Sequence, residues 1–146
     1  MLLEKENNVN LNVLVETTRL PSGPHTSDEM RWLFRFNALK GSGRNADVNG
    51  YLVGGKTGTA EKIANGHYVS GHYLNSFLAA FPMNDPQYVL LVSLDDPRPE
   101  SPGKPALAAW NAGIVAGHVV RRSASLLGVE PRLDQENHPD AMFVSY

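Results

Sequence analysis

Four consecutive residues, Lys56, Thr57, Gly58 and Thr59, concentrate the chemistry-bearing side chains of this chain. They lie in the run Gly50-Tyr51-Leu52-Val53-Gly54-Gly55-Lys56-Thr57-Gly58-Thr59-Ala60, which satisfies two incompatible patterns. From Gly50 to Thr57 it fits G-x-x-x-x-G-K-[ST], in which backbone N–H groups cradle a phosphate and the lysine reaches it. From Lys56 to Gly58 it reads K-T-G, a signature of acyl transfer carried on an extended strand. The backbone that each pattern requires decides between them.

A phosphate loop needs a buried strand before its first glycine and a helix opening near Lys-Thr. Before Gly50 stands the polar, turn-like Gly43-Arg44-Asn45-Ala46-Asp47-Val48-Asn49, and the loop positions Tyr51, Leu52 and Val53 read as strand. Asn65-Gly66 follows too soon for a helix of ordinary length. Tyr88 to Asp95 imitates the apolar strand that ends in a magnesium-linked Asp, but turn signals break the stretch that would have to form a crossover between parallel strands. The nucleotide pattern is a coincidence of spelling.

The strand alternative builds a fold. Tyr51 to about Ile63, Phe77 to Phe81 and Tyr88 to Leu94 read as three strands. Asn65-Gly66 is a hairpin signal, and Pro82 to Gln87 is a polar reversal. Three strands joined this way make an antiparallel meander. A helix should precede it, opened by the capping box Thr26-x-x-Glu29 and stopped by Gly41. Its apolar residues, Met30, Trp32, Leu33, Phe34, Phe36, Ala38 and Leu39, cover nearly the whole circumference, with Arg31 and Arg35 as the exceptions. Such a helix is expected to be buried on more than one side. A second helix is expected from about Pro105 to Leu127, ending at Gly128, with Ala109, Gly113, Ala116 and Val120 as a small-residue stripe against the sheet. The expected class is α+β.

The ordered set of motifs now carries a resemblance: the helix with Thr26-Ser27-Asp28-Glu29-Met30-Arg31, the turn Gly41-Ser42-Gly43, the strand Gly54 to Lys62, then Ser76-Phe77, Pro82 and Asp95-Asp96-Pro97. It resembles the C-terminal part of the transpeptidase domain of class B penicillin-binding proteins, in particular the cell-division peptidoglycan D,D-transpeptidases, over about Thr17 to Val129. The resemblance implies a partial penicillin-binding-protein and serine β-lactamase-like fold over residues 1–129, with 130–146 a polar tail. It also implies acyl transfer: a serine attacks the penultimate D-Ala carbonyl of a stem peptide, terminal D-Ala leaves, and the acyl group passes to a neighbouring amine. β-Lactams acylate the same serine. Lys56 would then present its charge to the substrate carboxylate or to the serine. Thr57 would donate its hydroxyl to that carboxylate, and Gly58 would clear space for the substrate backbone. The N–H of Thr59 would be one of two oxyanion donors. No cofactor and no metal is implied; the partners would be stem peptide, β-lactams and other division proteins, and the setting a periplasm-facing protein anchored in the inner membrane.

In one respect the chain departs from that family. The family's S-x-x-K and S-x-N motifs precede K-T-G, yet no S-x-x-K lies upstream here and S-x-N occurs nowhere in the 146 residues. The single S-x-x-K, Ser101-Pro102-Gly103-Lys104, lies downstream and reads better as a helix start. The chain is therefore expected to be inactive alone, with a non-catalytic remnant or docking module as the alternative, and a β-lactamase or D,D-carboxypeptidase fragment as a weaker third.

Composition narrows the rest. A net charge of −2 without a basic patch disfavours nucleic acid, and 42% hydrophobic residues suffice for a core. Glu4, Lys5 and Glu6 interrupt any signal-peptide core, and no stretch reaches the ~20 apolar residues of a membrane span. Zero cysteines suit either redox compartment. His67 and His72 share a loop without a third ligand at metal spacing. Asp95 and Asp96 read as a strand end capping a turn, and Glu130 to Tyr146 as a loose extension.

Overall fold

The computed structural model describes residues 11–12, 23–99, 101 and 106–133. A helix, α1 (Pro24–Lys40), precedes a meander of three long strands, β2 (Gly54–Ala64), β3 (His67–Phe81) and β4 (Tyr88–Asp95), and a second helix, α2 (Ala112–Ser123), follows it. A two-residue strand, β1 (Leu11–Asn12), adds to the outer side of β4, giving the antiparallel order β1-β4-β3-β2. The α+β meander matches the expectation, and β1 is an addition to it. Short as it is, β1 pairs Leu11 with Val92 and Asn12 with Leu91, so that edge of β4 is not bare.

Each boundary has a local cause. Pro24 starts α1 two residues before the expected box, because its fixed φ suits the first helical position; Gly23 is the N-cap and its carbonyl accepts from the Ser27 N–H at 3.3 Å. Thr26 therefore lies inside the helix, and no side chain caps it. Lys56 and Thr57 lie within β2, not at a helix start, which removes the phosphate-loop pattern. Strand structure begins only at Gly54, because the chain turns at Gly50 to Leu52, where Leu52 takes φ 45°. Its neighbour Val53 is fully buried and its carbonyl is taken by a side chain, described below. The Asn65-Gly66 turn has φ 53° and 79°, the pair of positive values a tight two-residue hairpin needs.

The second helix is shorter than expected. Residues Ala108–Trp110 form a 3-10 turn, and α2 begins at Ala112 because Asn111 caps it, its Oδ1 accepting from the Ala112 N–H at 2.6 Å. The helix ends at Ser123, and a further turn runs to Gly128, which has φ 79°. Ala112, Ala116 and Val120 of α2 pack with Phe77, Ala79, Phe81, Leu90 and Val92 of the sheet to form the core. Gly117 brings the helix so close that a Cβ there would stand 2.9 Å from the Asn45 carbonyl oxygen. At the start of the polar C-terminal stretch, Arg132 donates its backbone N–H to Gly50 at 2.8 Å, so the chain stays docked on the fold there. Residues 134–146 lie outside the described residues.

The expectation for α1 needs correcting. Arg35, read as an exception on an apolar helix, is buried, while Met30, Leu33 and Phe36 are exposed. The guanidinium has partners the helix pattern could not reveal: it donates to Asp47 at 2.5 Å and to the Val53 carbonyl at 2.7 Å.

Candidate active site

β2 is the terminal strand of the sheet, and this places the four candidate residues at an open edge. The Gly55 carbonyl accepts from Asn37 Nδ2 of α1 at 2.7 Å, and the Thr57 carbonyl accepts from the Lys56 ammonium at 2.8 Å. Both carbonyls therefore point away from β3. In an antiparallel strand a residue's N–H and C=O share one side and alternate with period two. The N–H of Thr59 thus faces the same open edge, below the point where α1 stops covering it. Edge N–H groups of this kind are free to pair with an arriving extended ligand.

The side chains divide between the two faces by register. Thr57 stands opposite Phe77 and Thr59 opposite Asn75, on the face that α2 covers. Lys56 stands opposite Leu78 and Gly58 opposite Ser76, on the other face, which α1 meets at Gly54 but which is exposed at Lys56 and Leu78. Lys56 is exposed, and its ammonium also lies 3.3 Å from Thr57 Oγ1. Thr57 Oγ1 in turn lies 3.0 Å from Ser42 Oγ, in the turn after α1. Thr59 Oγ1 accepts from the Ala108 N–H at 3.3 Å. The structure thus gathers Lys56, Thr57 and Thr59 along one strand edge, and brings Ser42 and Ala108 to them. Sequence reasoning named Ser42 for its glycine turn but gave it no neighbour, since α1 and β2 meet only in the fold.

The glycines have packing reasons. A Cβ on Gly55 would stand 2.4 Å from the Leu78 carbonyl oxygen, and one on Gly54 would meet Met83 at 2.6 Å. One on Gly58 would meet Ser76 Oγ at 2.6 Å. Gly58 is therefore constrained from β3, in addition to the ligand-side clearance expected of it.

The remaining candidates lie elsewhere. Ser101 is half-buried, and Lys104 lies outside the described residues. His72 Nδ1 meets Asp96 at 2.7 Å and Lys62 meets Asp95 at 2.7 Å, at the end of the sheet beyond Thr59. The His72 hydrogen bond holds the Asp96 carboxyl below its ordinary pKa, and the Asp95 hydrogen bond raises that of Lys62. Asp95 and Asp96 are thus bonded separately to Lys62 and His72 rather than paired with each other. No group of three or more His, Asp or Glu residues placed to hold a metal occurs among the described residues.

An edge strand with a Lys-Thr-Gly sequence, backed by a meander and a C-terminal helix, defines a class. Residues 13–115 match the penicillin binding protein transpeptidase domain, and the chain belongs to that family. Within it the similarity is of the class B, PBP3-like kind. The chain is 38% identical over 110 residues to the stage V sporulation protein D of Bacillus subtilis, covering 75% of this chain and 16% of that protein. It is 38% identical over 120 residues to a probable peptidoglycan D,D-transpeptidase FtsI of Caulobacter vibrioides, covering 75% of this chain and 20% of that protein. The apo transpeptidase domain of Burkholderia pseudomallei penicillin-binding protein 3 superposes with a TM-score of 0.64 at 33% identity, over 75% of this chain and 32% of that one. Penicillin-binding protein 3 of Mycobacterium tuberculosis, solved with ampicillin, superposes with a TM-score of 0.60 at 27% identity, over 73% of this chain and 25% of that one. The chain thus spans a fifth or less of these two relatives and about a third of the first solved domain. Among the described residues no helix is long and apolar enough to cross a membrane.

Proposed function

We propose that this chain supplies the substrate-binding strand of a peptidoglycan D,D-transpeptidase that cross-links stem peptides in cell-wall synthesis and division. The observation that carries the proposal is the open edge of β2, where the Lys56 ammonium, the Thr57 hydroxyl and the Thr59 N–H lie along one strand. An extended D-Ala-D-Ala terminus has matching groups: a carboxylate for Lys56 and Thr57, and a carbonyl whose oxygen turns anionic on attack, for Thr59. Gly58 leaves the backbone between them unobstructed on the ligand side.

Covalent catalysis needs a nucleophile with its activating base within hydrogen-bond distance. The nucleophile serine, its S-x-x-K lysine and the second oxyanion N–H come from family sequence that these 146 residues do not contain. Residues 1–129 act as the C-terminal portion of the domain, and the complete protein faces the periplasm from a membrane anchor. The 146-residue chain by itself does not turn over.

Fluorescent penicillin tests this reading. The purified chain should take no covalent label. Co-expressed with the preceding two-thirds of the Burkholderia pseudomallei domain, it should restore labelling of that partner, and Lys56→Ala should abolish it. Stoichiometric labelling of the 146-residue chain alone, lost on Ser101→Ala, would overturn the proposal and give the downstream S-x-x-K the catalytic role.

A further inference from the structure

We propose that Asn75 is a positioning residue for Thr59, acting through the segment between β4 and α2; this rests on the reading of the Thr59 N–H as an oxyanion donor. Asn75 is fully buried in β3, directly opposite Thr59. Its side-chain nitrogen donates to the Ala106 carbonyl at 2.5 Å and to Asn111 Oδ1 at 3.2 Å. Asn111 Oδ1 is the same atom that caps α2. Between those two anchor points, the Ala108 N–H donates to Thr59 Oγ1. One buried amide thus grips both ends of residues 106–111, and the middle of that segment grips Thr59.

Two further observations favour this role over plain core filling. The Oδ1 of Asn75 is buried and accepts no hydrogen bond among the described residues. An unpaired buried acceptor costs stability, so the position is occupied for its two donors rather than for its fit. Beyond Glu61 the β2–β3 register shifts, and the hairpin runs out into solvent. Thr59 is therefore near the end of the well-paired part of β2, on a strand with no neighbouring strand on its other side among the described residues. Held only by β3, such an edge residue is free to twist; held also by Ala108, its N–H keeps one direction. An oxyanion donor has to be fixed before the charge develops.

Amide exchange and chemical shifts of the intact 146-residue protein test the link without any need for acylation. In Asn75→Ala, the Ala108 amide should exchange about tenfold faster or more and the Thr59 amide should shift. Exchange at Phe77 and Val92 should stay within about twofold of wild type, since those amides report the sheet core. Asn75→Thr, which places a β-former at the site but cannot reach both acceptors, should show the same pattern if the alanine variant does not fold. Unchanged Ala108 exchange, or uniform acceleration at Ala108, Phe77 and Val92, would refute the positioning role. Either result leaves the penicillin-labelling test of the broader function untouched.

Discussion

Arg35 is 1% exposed, and one nitrogen of its guanidinium donates both to the Asp47 carboxylate at 2.5 Å and to the Val53 carbonyl at 2.7 Å. This joins the middle of α1 to the turn that feeds β2, and so sets where the Lys-Thr-Gly strand begins. The two charges differ in environment: the Arg35 side chain is 2% exposed and that of Asp47 21%. Asp47→Ala should therefore be the more damaging change, costing about 1.5–3 kcal/mol, because it takes from a buried guanidinium its charged acceptor. Arg35→Met should cost less, since water reaches the stranded carboxylate, and the double variant should fall close to Arg35→Met alone. Urea unfolding of the three variants measures this. Equal losses for the two single changes would contradict it.

That ion pair also marks where the sequence stops being legible. The hairpin at Asn65-Gly66 was readable because the dipeptide itself supplies the two positive φ values the turn demands. Lys56 to Thr59 could be placed on a strand because helix-breaking residues surround them. The burial of Arg35 could not be read, because its partners lie 12 and 18 residues away in a turn with no pattern of its own. Leu52 was misread for a related reason: Tyr51-Leu52-Val53 has β-forming side chains, but tertiary contacts, including the Met83 N–H donating to the Leu52 carbonyl at 2.9 Å, hold it in a turn. The contacts of Ser42 with Thr57 and of Ala108 with Thr59 join residues 15 and 49 apart, and neither has a local signature.

The two glycines flanking Lys56 and Thr57 should respond differently to alanine. At Gly55 the new Cβ would meet the backbone oxygen of Leu78 at 2.4 Å, which no rotamer change relieves. A loss of about 1–3 kcal/mol is expected, without rescue by trimming a neighbour. At Gly58 the near atom is Ser76 Oγ at 2.6 Å, the end of a small rotatable side chain. Gly58→Ala should cost less, and Ser76→Ala in the same protein should recover most of it. Thermal melting of the four variants separates the cases; full rescue of Gly55→Ala by Ser76→Ala would show that the clash is misplaced.

The pairs beyond Thr59 give stability a pH dependence at both extremes. The Asp96 carboxyl, hydrogen-bonded to His72, has its pKa below the ordinary 3.8 in the folded state. Its contribution is present above 3.8 and is lost as pH falls through the lower folded value. Lys62, bonded to Asp95, has its pKa above the ordinary 10.5; its contribution is complete below that value and is lost as pH rises through the folded one. Both groups are solvent-exposed, so each effect is small. Urea midpoints taken from pH 2 to 12 should fall at both ends. His72→Ala should flatten the acid arm and leave the alkaline arm intact, whereas an unchanged acid arm would exclude the His72–Asp96 pair as its source.

Beyond Gly54, where α1 packs, the sheet face that bears Lys56 has no helix over it among the described residues. Leu78 and Leu91 are cross-strand partners there, 40% and 45% exposed, and Val89 on the same face is 53% exposed. Adjacent apolar side chains on an uncovered sheet face favour association between molecules. The isolated chain should therefore self-associate increasingly with concentration. Leu78→Glu with Leu91→Lys, an opposite-charge pair across the strands, should suppress this. Because both positions are exposed, the melting temperature of the monomer should move little. Sedimentation velocity at rising concentration gives the test: a double variant that associates as strongly as the wild type would place the sticky surface elsewhere, on the exposed Met30, Leu33 and Phe36 of α1.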